Sequence, residues 1–192
     1  ATGDRSVAVG ISAEAKGRYA STLGAEASAV GNATAVGAKS IASQDAAVAV
    51  GTDSKATGNY ASALGADATA SGNDSTAFGH GTVAAGASST ALGSRAKTGA
   101  VAGVGIGMLA NATKDYSIAI GGESSSTADN SIAIGRKSSA TGENGIAIGT
   151  FTTSKGANGV AIGTNSTTSD QGGVAVGNAA KSTSTNTTAV GM

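Results

Sequence analysis

Ser117-Ile118-Ala119-Ile120-Gly121, Ser131-Ile132-Ala133-Ile134-Gly135 and Gly145-Ile146-Ala147-Ile148-Gly149 follow one another at intervals of 14 residues. In each run large apolar and small residues alternate, and a glycine ends the run. Alternation with a period of two is the pattern of a β-strand, not of a helix. Extending the alignment in both directions gives Gly10, Gly24, Gly37, Gly51, Gly65, Gly79, Gly93, Gly107, Gly121, Gly135, Gly149, Gly163, Gly177 and Gly191. Every step is 14 residues except Gly24 to Gly37, which is 13 and reads as a one-residue deletion in a turn near Asn32.

The phases around that glycine are sharply typed. The residue before it is always large and apolar: Val9, Leu23, Val36, Val50, Leu64, Phe78, Leu92, Ile106, Ile120, Ile134, Ile148, Ile162, Val176 and Val190. Two before it is Ala, with Thr22 and Gly105 the exceptions. Three and five after it are small, as in Ser138 and Ala140. Seven after it is often a second glycine: Gly17, Gly31, Gly58, Gly72, Gly86, Gly142 and Gly156. The 12 basic and 12 acidic residues all avoid the repeat glycine, the four positions before it, and the third and fifth positions after it. Gly- and Ser-rich chains of low hydrophobicity are commonly disordered, but a disordered chain has no reason to exclude charge periodically.

Two alternating segments and two glycine-ended turns make one coil of a β-solenoid, with successive coils paired in parallel about 4.8 Å apart. The glycines suit tight turns that need positive φ. The absence of proline suits ladders in which every amide donates. The expectation is an all-β parallel β-roll of about 14 coils, a rod of roughly 65 Å at that spacing, with residues 1–192 as a single domain. Small residues must fill so narrow an interior: aromatics are 3% of the chain and tryptophan is absent, which excludes a core built on large side chains. After the glycine, the fourth and sixth positions (Glu14 and Lys16, Ser139 and Thr141) then face water. Before it, Ala faces in and Val or Ile faces out.

The outward Val and Ile positions form an apolar stripe. Such a patch does not stay exposed in a soluble protein, and each such side chain contributes about 1.5–3 kcal/mol when buried. The stripe therefore predicts an obligate homo-oligomer with these residues at its interface. Two, three or four chains satisfy the argument equally.

Net charge is zero, so nothing in the balance favours nucleic acid or an anionic membrane. There is no cysteine for a disulfide or thiolate metal site. No run approaches the roughly 18 apolar residues of a membrane helix, and no signal-peptide pattern opens the chain; an exported protein would contain this chain as a segment. Gly103-Val104-Gly105-Ile106-Gly107 looks like a phosphate loop, but its glycines are in phase with the repeat and no helix follows. His80 is the only histidine, too little for a metal site or a triad. It reads as a solvated turn residue. Tyr19, Tyr60 and Tyr116 share one phase, five before the glycine. They read as turn residues that tolerate a ring, in preference to a ligand-binding set. Asn32, Asn73, Asn111, Asn165 and Asn186 begin Asn-x-Ser/Thr triplets that arise by chance in so Ser/Thr-rich a chain. No catalytic residue, metal or cofactor is expected.

Ser6-Val7-Ala8-Val9-Gly10, Ser117-Ile118-Ala119-Ile120-Gly121 and Asn130-Ser131-Ile132-Ala133-Ile134-Gly135, with following segments such as Lys137-Ser138-Ser139-Ala140-Thr141-Gly142, resemble the head repeats of the YadA-like trimeric autotransporter adhesins. The resemblance runs the whole length, with the coil from Gly93 to Gly107 irregular. It implies a left-handed β-roll, assembled as a homotrimer on the outer surface of Gram-negative bacteria. It also implies adhesion to host cells or extracellular matrix, autoagglutination, and anchoring in the outer membrane by other segments. The alternative is an ice- or surface-binding β-solenoid. It needs a regular outward array, which Lys and Glu interrupt here.

Overall fold

The computed structural model describes residues 1–191. The described residues contain 27 short strands and no helix. The strands make about 13 turns, because only 13 of the repeat glycines are followed by a two-residue strand. That is one turn fewer than the count of glycines suggests.

The chain divides into two compact units, the first Ala1–Ala96 and the second starting at Lys97. In the first unit, Val7–Val9, Ser21–Leu23, Thr34–Val36, Val48–Val50, Ser62–Leu64, Thr76–Phe78 and Thr90–Leu92 pair in that order in one parallel sheet. The strands Glu14–Ala15, Ser28–Ala29, Ile41–Ala42, Lys55–Ala56, Thr69–Ala70 and Val83–Ala84 form the other. The second unit repeats the plan. Its three-residue strands run from Val104–Ile106 to Thr188–Val190 and its two-residue strands from Lys97–Thr98 to Lys181–Ser182. Pairing is in register with the repeat, Ile132 on Ile146, Ala133 on Ala147 and Ile134 on Ile148, so each side chain stacks on its own phase.

The alternation sorts as expected. Ala133 and Ala140 are buried, while Ile132 and Ser139, their outward neighbours, are only half-covered. One inward position escaped the sequence reading. The residue four before the glycine is also interior: Ala20, Ala61, Ser117 and Ser131 are fully buried there. The charge-free phase was its signal. A hydroxyl at the third position after the glycine closes the turn, as when Ser54 donates to the Gly51 carbonyl at 2.8 Å and Ser138 to that of Gly135 at 2.9 Å.

Most coils have two four-residue turns closed by a backbone bond, for example Ser138 N–H to Gly135 O at 3.2 Å and Gly145 N–H to Gly142 O at 2.9 Å. Of the two glycine rows, only the first has positive φ, Gly31 excepted. Gly135 lies at φ 127, where a side chain would be strained and a Cβ would overlap the Gly149 carbonyl. Gly142 has no such φ; it is small because a Cβ would meet the Gly156 carbonyl of the next coil. The expectation that both glycine rows supply positive φ is corrected accordingly. The left-handed residues are instead the third of each turn, such as Lys137 at φ 56 and Asn144 at φ 54. In the 13-residue coil Gly31 takes that role at φ 70. The Asp45 carboxylate there accepts from the Asn32 backbone and amide N–H groups at 3.3 and 3.0 Å.

Candidate functional site

Each unit presents a sheet face carrying the apolar row, a sheet face carrying polar side chains, and two edges made of turns. On the first face Leu23 is 53% exposed, Phe78 52% and Ile134 36%; Val36, Val50, Leu64, Ile106, Ile120, Ile148 and Val176 are half-buried by their stacked neighbours. Val9, Leu92, Ile162 and Val190 are exposed with them. The fold thus brings the predicted interface residues of each unit into one outward row, ended by the repeat glycines.

The second face carries Ser, Thr, Asn, Lys and Glu, with Val30, Ile41 and Val83 as large apolar exceptions. Lys16 and Glu14 pair across it at 2.5 Å. The regular part lies in the second unit, where Asn111, Thr113, Ser125, Thr127, Ser139 and Thr141 follow without a charge.

The remaining candidates lie on the edges. His80 is exposed, 3.7 Å from the Asp67 carboxylate. Among the described residues no group of three His, Cys, Asp or Glu side chains could hold a metal ion. Tyr19, Tyr60 and Tyr116 occupy left-handed turn positions at φ 59, 57 and 56 and are exposed in separate coils. They do not come together. Tyr19 lies beneath two guanidinium groups, Arg18 at 4.7 Å and Arg5 at 5.7 Å from its ring centre, and both donate to its hydroxyl at 3.0 Å. A second such cluster, not singled out by the sequence, stacks Arg136 and Lys137 on Phe151 at 4.6 and 5.8 Å. Its members are 14 or 15 residues apart, so the repeat spacing itself was the available signal. Asn32, Asn73, Asn165 and Asn186 sit exposed in turns, and Asn111 starts a strand.

The glycine run from Gly103 to Gly107 is structural. Gly103 and Gly105 are buried beside Thr98, whose Cβ would lie 3.5 Å from a Cβ at Gly103 and whose Cγ2 would lie 3.2 Å from one at Gly105. The extra volume of Thr98 is matched by two missing side chains.

The model of the YadA head domain repeat matches residues 1–32, 31–54, 42–68, 56–82, 70–96, 104–124, 112–138, 126–152, 140–166, 154–180 and 169–192. The chain belongs to the YadA head family. The matches leave out only residues 97–103, where Thr98 and Gly103 alter the interior of the YadA head repeat. No curated protein matches the chain. Among solved structures it is similar to the collagen-binding domain of the Yersinia adhesin YadA, at 25% identity over 71% of this chain and 68% of that one, with a TM-score of 0.49. Membership in the YadA head family carries an adhesive, structural role rather than a catalytic one.

Proposed function

We propose that residues 1–192 act as one adhesin head, a left-handed β-roll assembled as a homotrimer on the outer surface of a Gram-negative bacterium. Other segments anchor it in the outer membrane. It attaches to host cells or extracellular matrix and drives autoagglutination. The observation that carries the assembly is the outward apolar row. Large side chains such as Leu23, Phe78 and Ile134 stand in file on one face of each unit, and a patch of that kind marks an interaction site. The adhesive role rests on the family. Weak contacts repeated on three chains give avidity without a deep pocket.

Light scattering of the native protein tests the assembly. Three times the chain mass is expected; a stable monomer overturns the reading. A binding screen of the assembled head against collagen, fibronectin, laminin and glycans tests the role, and no binding to any matrix protein or host cell counts against it. The alternative, an ice- or surface-binding solenoid, is opposed by Glu14, Lys16, Lys55, Lys97, Lys155 and Lys181 on the polar face.

A further inference from the structure

We propose that the two turn edges of the second unit meet between copies of this chain, with Arg136 of one copy against Glu143 of the next. The inference rests on the oligomer proposed above. In a cyclic assembly whose apolar faces surround an axis along the stacking direction, contacts are heterologous. Each chain then turns its first-turn edge toward its neighbour's second-turn edge, and symmetry places equivalent coils at one height.

Side chains at one height match across the two edges. In the coil that starts at Gly135, the first turn carries exposed Arg136 and Lys137, and the second carries exposed Glu143. Asp129 stacks one coil before Glu143, where its carbonyl accepts the Asn144 N–H at 3.0 Å. In the coil that starts at Gly107, the first turn is apolar, with Met108 56% and Leu109 44% exposed, and the second turn presents Tyr116, 59% exposed, beside exposed Lys114 and Asp115. Basic thus faces acidic at the Gly135 level, and at the Gly107 level Met108 and Leu109 face the Tyr116 ring. Arg136 and Glu143 make no ion pair among the described residues of their own chain. Arg136 lies instead over the Phe151 ring, 4.6 Å from its centre. At the level between, Glu123 and Asp129 are alike in charge, but Lys137 holds Glu123 at 3.6 Å. The first unit is not included. Its coil at Gly65 carries Asp67 and Asp74 on opposite edges, both exposed.

The chain contains no cysteine, so a crosslink reports directly. In the variant Arg136→Cys with Glu143→Cys, the two thiols lie on opposite edges of one coil and a disulfide spans only about 4.4–6.8 Å between Cα atoms. Oxidation of the native protein with oxidised glutathione is expected to give covalent multimers up to a closed ring on a non-reducing denaturing gel. Either single variant is expected to stay uncrosslinked. Charge reversal supplies a second measurement. Arg136→Glu or Glu143→Lys alone is expected to weaken association on the order of 3–10-fold, and the two together to restore it. The edge pairing is overturned if the parent is oligomeric by light scattering but the double-cysteine variant does not crosslink beyond its singles, or if the reversals associate as the parent does. A monomeric parent overturns the oligomer itself.

Discussion

The interiors of the two units solve the same packing problem differently. In the first, the fifth position after the repeat glycine is alanine throughout, from Ala15 to Ala84, and the fourth before the next is alanine in four coils (Ala20, Ala33, Ala47 and Ala61) and serine in two (Ser75 and Ser89). In the second the same pair is Thr98 with Gly103, Ser126 with Ser131, Ser154 with Gly159, Thr168 with Gly173 and Ser182 with Thr187, and alanine keeps the first place only in Ala112 with Ser117 and Ala140 with Gly145. In three of the five pairs that begin with Ser or Thr the other partner is glycine, which offsets the added volume. The added hydroxyls are bonded: Ser154 donates to the Gly159 carbonyl at 2.9 Å, Thr168 to the Ser154 hydroxyl at 3.1 Å, and Ser126 to the Ser131 carbonyl at 2.8 Å. An alanine interior needs no such bonds. A hydroxyl interior must supply all of them, because an unsatisfied buried hydroxyl costs about 1–3 kcal/mol. Ser75, in the alanine-rich unit, is the one buried hydroxyl among the described residues without a partner.

Substitutions can break this contrast or sharpen it. The largest effect is expected outside both interiors, on the face they share in type: Ile134→Asp should abolish assembly, read as a fall to monomer mass by light scattering. Next comes exchange of the interior chemistries. A Cβ at Gly159 would lie 2.7 Å from the Thr168 hydroxyl and 2.9 Å from that of Ser154. Gly159→Ala should therefore cost about 1–3 kcal/mol in urea unfolding. Ala56→Thr in the first unit should cost a similar amount, and adding Ala61→Gly should recover part of it. A double-mutant cycle with no coupling between Ala56 and Ala61 would sink the shared-volume argument. Ser126→Ala leaves Ser131 its bond to the Ala128 carbonyl at 2.6 Å and should cost only about 1 kcal/mol by thermal unfolding. Ser139→Lys, on the water-facing side, should stay within roughly 0.5 kcal/mol of the parent and keep its mass.

The sequence carried the coil because alternation and charge exclusion act within a few residues of one another. Ile132, Ala133 and Ile134 declare their faces by spacing alone. It did not carry the pairing of Thr98 with Gly103 and Gly105, since those side chains meet only after the coil closes, and the glycines then look like a motif. The left-handed turn positions were equally hidden. Tyr116, Leu109 and Phe151 occupy them at φ 56 to 58, although such residues rarely adopt that region, so residue type marks only those turns that carry Asn or Asp there, such as Asp53 and Asn144. The edges were illegible for a related reason: Arg136 and Phe151 are neighbours only through the stacking register.

The 13-residue coil has a consequence beyond its own turn. Losing one residue there leaves Ser21 paired with Thr34 and Thr34 with Val48, so copying errors confined to a turn are absorbed where they occur. Gain or loss of a whole coil disturbs less still, because each coil touches only its two neighbours. Reach can therefore change by copy number, about 4.8 Å for every repeat inserted or deleted, while the rest of the molecule stays as it was.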